Sequence, residues 1–224
     1  MRTVRGMVLI VLTCVTSLAL AVPAYAQNTG AAQQRPQQDT DQGVGIGALG
    51  GFTVTSSRGE DSDCCSSGTG AIFGIWFGGN RNGRVGFMGE LNYAQKKIKD
   101  ATDDNTHLTT NYLEIPALFR INIGSRMREG LSVYALVGPV FDIRLSSKLV
   151  EDGVEVPEAE LENQFSAADI GLMAGGGVEF NRVGFEIRGN WGLRRLATDE
   201  ALDAGNLPDV KNTSLQFVFK FRFN

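Results

Sequence analysis

The sequence predicts an all-β fold, an eight-stranded antiparallel up-and-down transmembrane β-barrel. Two observations carry this prediction: apolar and polar residues alternate along eight segments, and the last segment has a strongly aromatic face. Composition agrees, because glycine is abundant (28 residues), proline is scarce (6) and the mean hydropathy is near zero. This profile is typical of many alternating strands rather than of a helical domain.

The chain begins with the pattern of a secretory signal peptide at residues 1–26. Arg2 and Arg5 precede an apolar run that ends at Val22, and Ala24-Tyr25-Ala26 forms a small-x-small cleavage site. The run is short for a membrane-spanning helix, which disfavours a retained anchor. Cleavage near Ala26 leaves 19 basic and 25 acidic residues. The resulting net charge of about −6 argues against a nucleic-acid partner.

Residues 27–42 are rich in glutamine and have no apolar period, which predicts a flexible periplasmic leader. The barrel domain is then predicted to span residues 43–224. Its length fits eight strands of about ten membrane-crossing residues each, with their connections.

The first four strands each have one face that is largely apolar, with its residues at alternate positions. In the fourth, Leu113, Ile115 and Phe119 lie on one face and Glu114 and Arg120 on the other. Residues that tolerate unusual backbone angles separate the second strand from the third and predict a short turn. These predicted strands are Val44–Thr55, Thr69–Gly78, Val85–Lys96 and Leu108–Ile123.

The second half of the chain shows the same alternation of apolar and polar residues, with Asn181-Arg182 as a minimal turn between the sixth and seventh strands. Pro116 and Pro139 fall inside strands, where each removes a ladder donor, so we expect a β-bulge at each. The predicted strands of this half are Leu131–Leu145, Ala167–Phe180, Val183–Leu193 and Ser214–Asn224.

The connections alternate between short and long. Short periplasmic turns and long external loops are the asymmetry of an outer-membrane barrel, so the four long, polar connections are predicted to be external. The short connections lie around residues 79–83, 124–130 and 181–182, and the long ones around 57–68, 97–107, 146–166 and 194–212.

Several motifs resemble one family. Tyr112-Leu113-Glu114-Ile115-Pro116 resembles the YLEIP strand motif of outer-membrane β-barrel proteins labelled porin-family or OmpA/OmpX-like barrels, and the segment from Gly171 to Glu179 fits the same pattern. The resemblance spans about residues 43–224. It implies an eight-stranded barrel in the outer membrane of a Gram-negative type of bacterium, and it implies little about activity.

A soluble barrel of the lipocalin kind is the competing fold, because it alternates in the same way with its apolar face inward. Glycines on the polar face, such as Gly47 and Gly177, favour a crowded narrow lumen over a solvated exterior. The loop asymmetry and the aromatic last strand also favour the membrane barrel.

Charged residues on the inward phase are predicted to fill the lumen with ion pairs and hydrogen bonds instead of leaving a pore, since eight strands enclose space only for side chains. A proton or ion path through the carboxylates is the functional alternative. The predicted network comprises Glu90, Glu114, Arg120, Asp142, Arg144, Asp169, Glu179, Glu186, Arg188, Lys220 and Arg222.

The aromatic face of the last strand is predicted to be an assembly signal as well as a lipid-facing surface. The expected partners are therefore outer-membrane lipid and the barrel assembly machinery, while the external partner stays open. The phenylalanines concerned are Phe217, Phe219, Phe221 and Phe223.

Chemistry elsewhere is sparse. Cys64 and Cys65, in the predicted first loop, could form a strained vicinal disulfide, an intermolecular link, a soft metal site or an oxidised loop tip without a role. The one histidine, His107, lies at the outer rim, where some outer-membrane lipid hydrolases have theirs, but no matching serine and acid accompany it. The sequence therefore predicts no catalytic residue, no cofactor and no enzyme. It predicts a structural or surface-interaction role through four external loops, with small-ligand or cation binding at the mouth as the alternative.

Overall fold

The computed structural model describes residues 44–59, 65–79, 83–101, 105–123, 131–156, 165–198 and 209–223. All of them belong to the unit that spans residues 41–224. The predicted signal peptide and leader lie outside the described residues. No described helix has the length and apolarity needed to cross a membrane.

Eight antiparallel strands close into a barrel, which confirms the predicted fold class. Each of these eight strands pairs with the next, and β1 pairs with β9 from Gly47↔Arg222 to Gly59↔Val210, so the described barrel strands leave no free edge. The two-residue β6 pairs only with the end of β5. The strands are β1 Gly45–Gly59, β2 Cys65–Gly78, β3 Val85–Asp100, β4 His107–Ile123, β5 Leu131–Glu151, β6 Val154–Glu155, β7 Ala168–Phe180, β8 Val183–Gly192 and β9 Val210–Arg222.

The two ends of the barrel carry different connections. The upper end, as named here, has the connections β1–β2, β3–β4, β5–β7 and β8–β9, and the lower end has β2–β3, β4–β5 and β7–β8. At the lower end, Asn181 adopts a positive φ of 52° in the two-residue turn between β7 and β8. Asparagine tolerates this left-handed conformation better than most residues, which explains its place there.

The strands run further at the upper end than predicted. β1 continues to Gly59 instead of Thr55, β3 to Asp100 instead of Lys96, and β5 to Glu151 instead of Leu145, while β2 begins at Cys65 and β9 at Val210. The predicted long loops at 57–68 and 97–107 are therefore wrong, and only residues 60–64 and 101–106 separate those strands. The apolar period stops where the apolar belt stops, whereas the hydrogen-bonded ladder continues through polar residues.

The predicted bulges at the two prolines are also wrong. Pro116 pairs with Val140 and Pro139 with Leu172, with no register shift at either residue. A proline removes one donor from the ladder without inserting a residue, so the pairing keeps its register. The shifts that do occur lie at Ser67/Ile72 and Asn111/Tyr112.

The outward face is an apolar belt and the inward face is largely polar. On β4 the outward apolar side chains run from Leu113 to Ile123, and Phe119 is 52% exposed while its neighbour Arg120 is 2% exposed. At ~3.3 Å per residue and the tilt usual for such strands, this stretch is about 25 Å tall. That height matches the hydrocarbon core of an outer membrane.

Glycine allows the largest interior aromatic side chains to fit. A Cβ atom on Gly47 would lie 2.6 Å from the indole nitrogen of Trp76, and one on Gly177 would lie 2.9 Å from the Tyr134 ring. Trp76 and Tyr134 are each buried, at 3% and 2% exposure. In the narrow lumen, each of these large aromatic side chains therefore lies next to a glycine, which has no side chain.

We expect Gly47→Val to destabilise the barrel by about 1–3 kcal/mol, or to block refolding, because the added Cβ would overlap the Phe221 carbonyl oxygen and lie 2.6 Å from the Trp76 indole nitrogen, so that both must shift. Urea unfolding of the protein in lipid vesicles, followed by the heat-dependent gel mobility of folded barrels, measures the change. Gly50→Val is the matched control, because Gly50 lies on the same strand and the nearest atom to its added Cβ is 3.8 Å away. Equal stability of the two variants would contradict this packing account.

Candidate functional site

Among the residues that the structure describes, ten buried charged side chains come together in the barrel interior. Five are acidic and five are basic, so their formal charges cancel. Buried charges are tolerated only when they are paired and hydrogen-bonded, and this balance makes complete pairing possible. They are Glu90, Glu114, Asp142, Glu179 and Glu186 against Lys96, Arg120, Arg188, Lys220 and Arg222.

A ring of four charges crosses the middle of the lumen. The Arg188 guanidinium contacts Glu90 at 2.8 Å and Glu186 at 3.3 Å, and the Lys220 ammonium contacts the same two carboxylates at 3.1 Å each. The Tyr134 hydroxyl donates to Glu186 at 2.8 Å. Each acid of the ring therefore meets both bases, and each base meets both acids.

A second cluster lies towards the lower end. Glu179 bridges two arginines, with Arg120 Nη1 at 2.7 Å from one carboxylate oxygen and Arg222 Nε at 3.0 Å from the other. The remaining nitrogens of Arg120 donate to Ser132 Oγ and Asn122 Oδ1, each at 3.0 Å. One guanidinium is thus held by three different strands.

A third cluster lies towards the upper end. Lys96 pairs with Asp142 at 2.5 Å and lies 3.6 Å from Glu114. Glu114 accepts from Asn190 at 3.0 Å and from the Gln216 amide at 3.1 Å on both oxygens. Two carboxylates close to one ammonium are thus stabilised by amide donors as well.

Gln216 joins the upper cluster to the ring. Its carbonyl oxygen accepts from Arg188 Nε at 2.8 Å while its amide nitrogen donates to Glu114. Charged and amide groups therefore form one continuous chain of contacts along this part of the lumen.

Two residues predicted for the network form hydrogen bonds with other parts of the chain near the upper end. Arg144 and Asp169 lie on the inward phase but are only half-buried, near the upper end. Arg144 donates to the Phe165 carbonyl at 3.1 Å, and Asp169 accepts from the Arg194 backbone at 2.9 Å. Both of these bonds hold chain segments beyond the strand ends, a role that strand periodicity cannot reveal.

Other lumen residues were not identified from the sequence. Lys96 shares the inward phase of β3 with Glu90, but it is the last residue of the strand that the sequence predicts. Trp76 lies inside beneath two cations, with Lys220 at 4.8 Å and Arg222 at 5.0 Å from its ring, and the Arg120 guanidinium stacks on Tyr134 at 3.7 Å. Alternation places both aromatics inward, and that signal could have found them. Apolar side chains share the interior, namely Leu49, Ile72, Met88, Leu118, Leu136, Val140, Met173 and Val218.

The upper end holds a mainly apolar cavity of about 240 Å³. Phe165 precedes β7 and Leu196 follows β8, and both pack there against Ile98 and Val210 on the inner side of the wall. Cys65 also lines the cavity and is disulfide-bonded; its partner lies outside the described residues, as Cys64 does, so the Cys64–Cys65 pairing stays a prediction. The other lining residues are Lys99, Asp100, Thr106, His107, Leu108, Leu149 and Ala197.

The phenylalanines of β9 form a ridge on the outward face. Phe219, Phe221 and Phe223 are exposed, and Phe217 is half-buried because its ring stacks on Phe52 of β1 at 4.8 Å. Phe185 of β8 contacts Phe219 at 5.1 Å. Aromatic contacts therefore run across both seams that β9 makes with its neighbours.

Within the ranges that the structure describes, no three histidine, cysteine or carboxylate side chains are grouped so that they could hold a metal ion.

Known structures with similar folds are distant in sequence. The chain is similar to Ail, the attachment invasion locus protein of Yersinia pestis (16% identity, TM-score 0.44, covering 81% of this chain and 99% of Ail). It is similar to Neisserial surface protein A (14%, TM-score 0.48, 81% and 99%) and to the outer membrane enzyme PagL (11%, TM-score 0.41, 80% and 98%). No curated protein matches the sequence. At this identity the likenesses assign no activity.

A family profile gives the firmer result. The profile described as outer membrane protein beta-barrel domain matches residues 27–197, well over half of the chain. Together with the closed barrel and its outward apolar belt, this match places the protein in the outer membrane, as the sequence motifs implied. The chain belongs to the outer membrane β-barrel domain family.

Proposed function

We propose that this protein is an outer-membrane barrel with a plugged polar lumen, whose role is structural or is exerted through its upper end, the end that faces outside the cell. The observation that carries the proposal is the ring formed by Glu90, Arg188, Glu186 and Lys220, in which three members are 0% exposed and Lys220 is 6% exposed.

The ring opposes ion conduction because each charge is already neutralised by two partners. A permeating ion would have to replace these contacts in a space from which bulk water is excluded, and separating such buried pairs costs several kcal/mol. A gap beside Trp76 and Arg120 has a volume of about 10 Å³, which is the size of one water molecule. Both features support side chains, not solvent, as the content of this region.

The proposal includes two partners on the outward face. Lipid covers the apolar belt, and the phenylalanine ridge of β9 is the surface that the barrel assembly machinery recognises. We assign no reaction to the protein, and the predicted cofactor-free state and signal-peptide cleavage near Ala26 remain part of the proposal.

Small-ligand binding at the mouth is the second candidate. The 240 Å³ cavity favours it, because Ile98, Leu108 and Leu149 line this space with apolar surface next to solvent. Apolar, concave sites of this kind bind small hydrophobic molecules.

The plug predicts the absence of a pore. In planar bilayers we expect neither the wild-type protein nor a refolded Arg188→Leu variant to show stable conductance steps, because the remaining interior side chains still fill the lumen. The heat-dependent gel shift of the same samples confirms that the barrel has folded and inserted. Long-lived open channels in the wild type would overturn the proposed plug.

Ring stability gives an independent test. Arg188→Leu leaves Glu90 and Glu186 without their shared guanidinium, so we expect a loss of about 3–5 kcal/mol in the free energy of unfolding. Arg195→Leu removes an arginine from a more exposed pair with Asp209, 52% and 29% exposed, and should change it by about 1 kcal/mol or less. Urea titration in vesicles measures both, and similar losses would mean that the ring does not hold the barrel together.

The cavity predicts saturable binding of neutral 1-alkanols, from butanol to octanol. Affinity should rise about fourfold per added methylene until the cavity is full, since each buried methylene contributes about 0.8 kcal/mol. Saturation-transfer NMR on nanodiscs, with empty nanodiscs subtracted, measures it. Leu149→Gln should weaken binding, whereas Leu145→Gln, which alters a 53% exposed outward residue of the same strand, should not. Binding no greater than that of empty nanodiscs would exclude this second candidate.

A further inference from the structure

The outward face of β3, β4 and β5 changes character in steps towards the upper end. Cross-strand pairing places Tyr93, Leu113 and Ile143 in one apolar row. The next row upward is neutral and polar: Gln95 donates to Asn111 at 3.4 Å, and Asn111 donates to Ser146 Oγ at 2.9 Å. The apolar belt on this wall therefore ends between these two rows.

Positive charge begins in the row directly above. Lys97 pairs with Thr109, and Thr109 pairs with Lys148, so two lysines flank a hydroxyl on adjacent strands. One row higher, Lys99 pairs with His107. Neighbouring strands lie about 4.8 Å apart, so the Lys97 and Lys148 backbones are separated by about 10 Å. These five residues are called the rim patch.

The positive charge of the rim patch is largely uncompensated. Lys148 forms a surface ion pair with Glu155 at 2.5 Å, in which both side chains are more than half exposed. Lys97 and Lys99 have no ion-pair partner among the residues that the structure describes. An exposed pair contributes little and exchanges readily, so Lys148 is also accessible to another anion.

The pKa of His107 is sensitive to the lysines of the rim patch. Partial burial and then the positive charge of Lys97 lower the pKa of the imidazole below its usual value, and Lys99 and Lys148 act in the same direction. A hydrogen bond with the Asn105 backbone opposes them. His107 is thus protonated less readily than an ordinary histidine, and it lies within reach of the fields of all three lysines.

We propose that the rim patch binds the anionic phosphate headgroup of an outer-membrane lipid. Lys97 and Lys148 hold the phosphate from either side, and the Thr109 hydroxyl between them donates to it. Lys99 and His107 form the upper border of the site. This assignment does not depend on the plugged lumen, but it rests on the proposed orientation, in which the upper end faces outside the cell.

Position favours a lipid over a soluble anion. The lower row of the rim patch lies on the outer wall and follows the apolar belt by a single neutral row, whereas the upper row also lines the mouth cavity. A lipid whose acyl chains lie along Leu113 and Ile143 brings its headgroup to the height of Lys97 and Lys148. Anionic lipid surfaces attract lysines strongly, each contributing roughly fivefold to binding.

Native mass spectrometry of the detergent-solubilised barrel tests the assignment, with phosphate-bearing lipid A as the probe and zwitterionic phosphatidylcholine as the reference lipid. We expect K97Q/K148Q to weaken lipid A retention by roughly 30-fold, as two lysines at about fivefold each imply. K97R/K148R keeps the charge and should retain the lipid. Both doubles alter exposed or half-buried side chains, so the barrel should still fold.

R58Q/K211Q is the matched control. Arg58 and Lys211 pair across β1 and β9, on the opposite wall at the same end, and their loss removes the same charge. Retention of lipid A by this control supports a site at the rim patch. If both double variants lose lipid A retention equally, the loss reflects the overall charge of the protein, and the proposal is overturned. If millimolar inorganic phosphate displaces lipid A, the patch is a site for soluble anions, and the proposal of a lipid site is overturned as well.

The single histidine supplies a second readout. In nanodiscs, NMR titration of labelled His107 should show a higher pKa when lipid A is added, because the bound phosphate offsets the lysine field. In K97Q/K148Q the starting pKa should be higher and the rise on adding lipid smaller. A rise of equal size in the variant and the wild type would show a general membrane potential and no binding by the lysines.

Discussion

Charge balance inside the closed barrel is the constraint on which the rest of the structure depends. A membrane barrel must face lipid with its apolar side chains, so alternation forces the other half of each strand into a narrow interior. Charges placed there are stable only if each finds a partner of opposite sign. Glu90, Glu179 and Glu186 achieve this by bridging two bases apiece, and all but one of these contacts join different strands, since only Arg188 and Glu186 share β8. The same contacts therefore neutralise charge and fix the strands relative to one another.

Aromatic and apolar side chains share the interior with the charges and keep water from them. Trp76 lies beneath Lys220 and Arg222, while Tyr134 meets the Arg120 guanidinium with its ring and Glu186 with its hydroxyl. Low local dielectric strengthens every ion pair that these rings shield. Glycine at positions such as 47 and 177 makes room for the rings, so the abundance of glycine and the burial of charge are parts of one arrangement.

Periodicity in the sequence was sufficient to predict the eight barrel strands and which residues face inward, because lipid imposes a strict alternation. It could not predict strand ends at the upper end, since the ladder from Leu145 to Glu151 continues without an apolar period. Nor could it predict partners: Arg188 contacts Glu90 from 98 residues away, and Arg144 donates to the Phe165 carbonyl. The rim patch was missed for the first of these reasons, because Lys97, Lys148 and His107 were assigned to loops or to a loop boundary.

The continuation of the paired strands above the apolar belt has a consequence for variation among related chains. Lys97, Thr109 and Lys148 are neighbours only through cross-strand pairing, so the connections that join their strands can change in length without moving them. An insertion in a connection alters the reach of that connection alone. A one-residue deletion within β4, in contrast, reverses the face of every residue beyond it and dismantles the surface at once. This wall of the barrel therefore tolerates insertions in the connections at its upper end, but it does not tolerate deletions within the paired strands a few residues below.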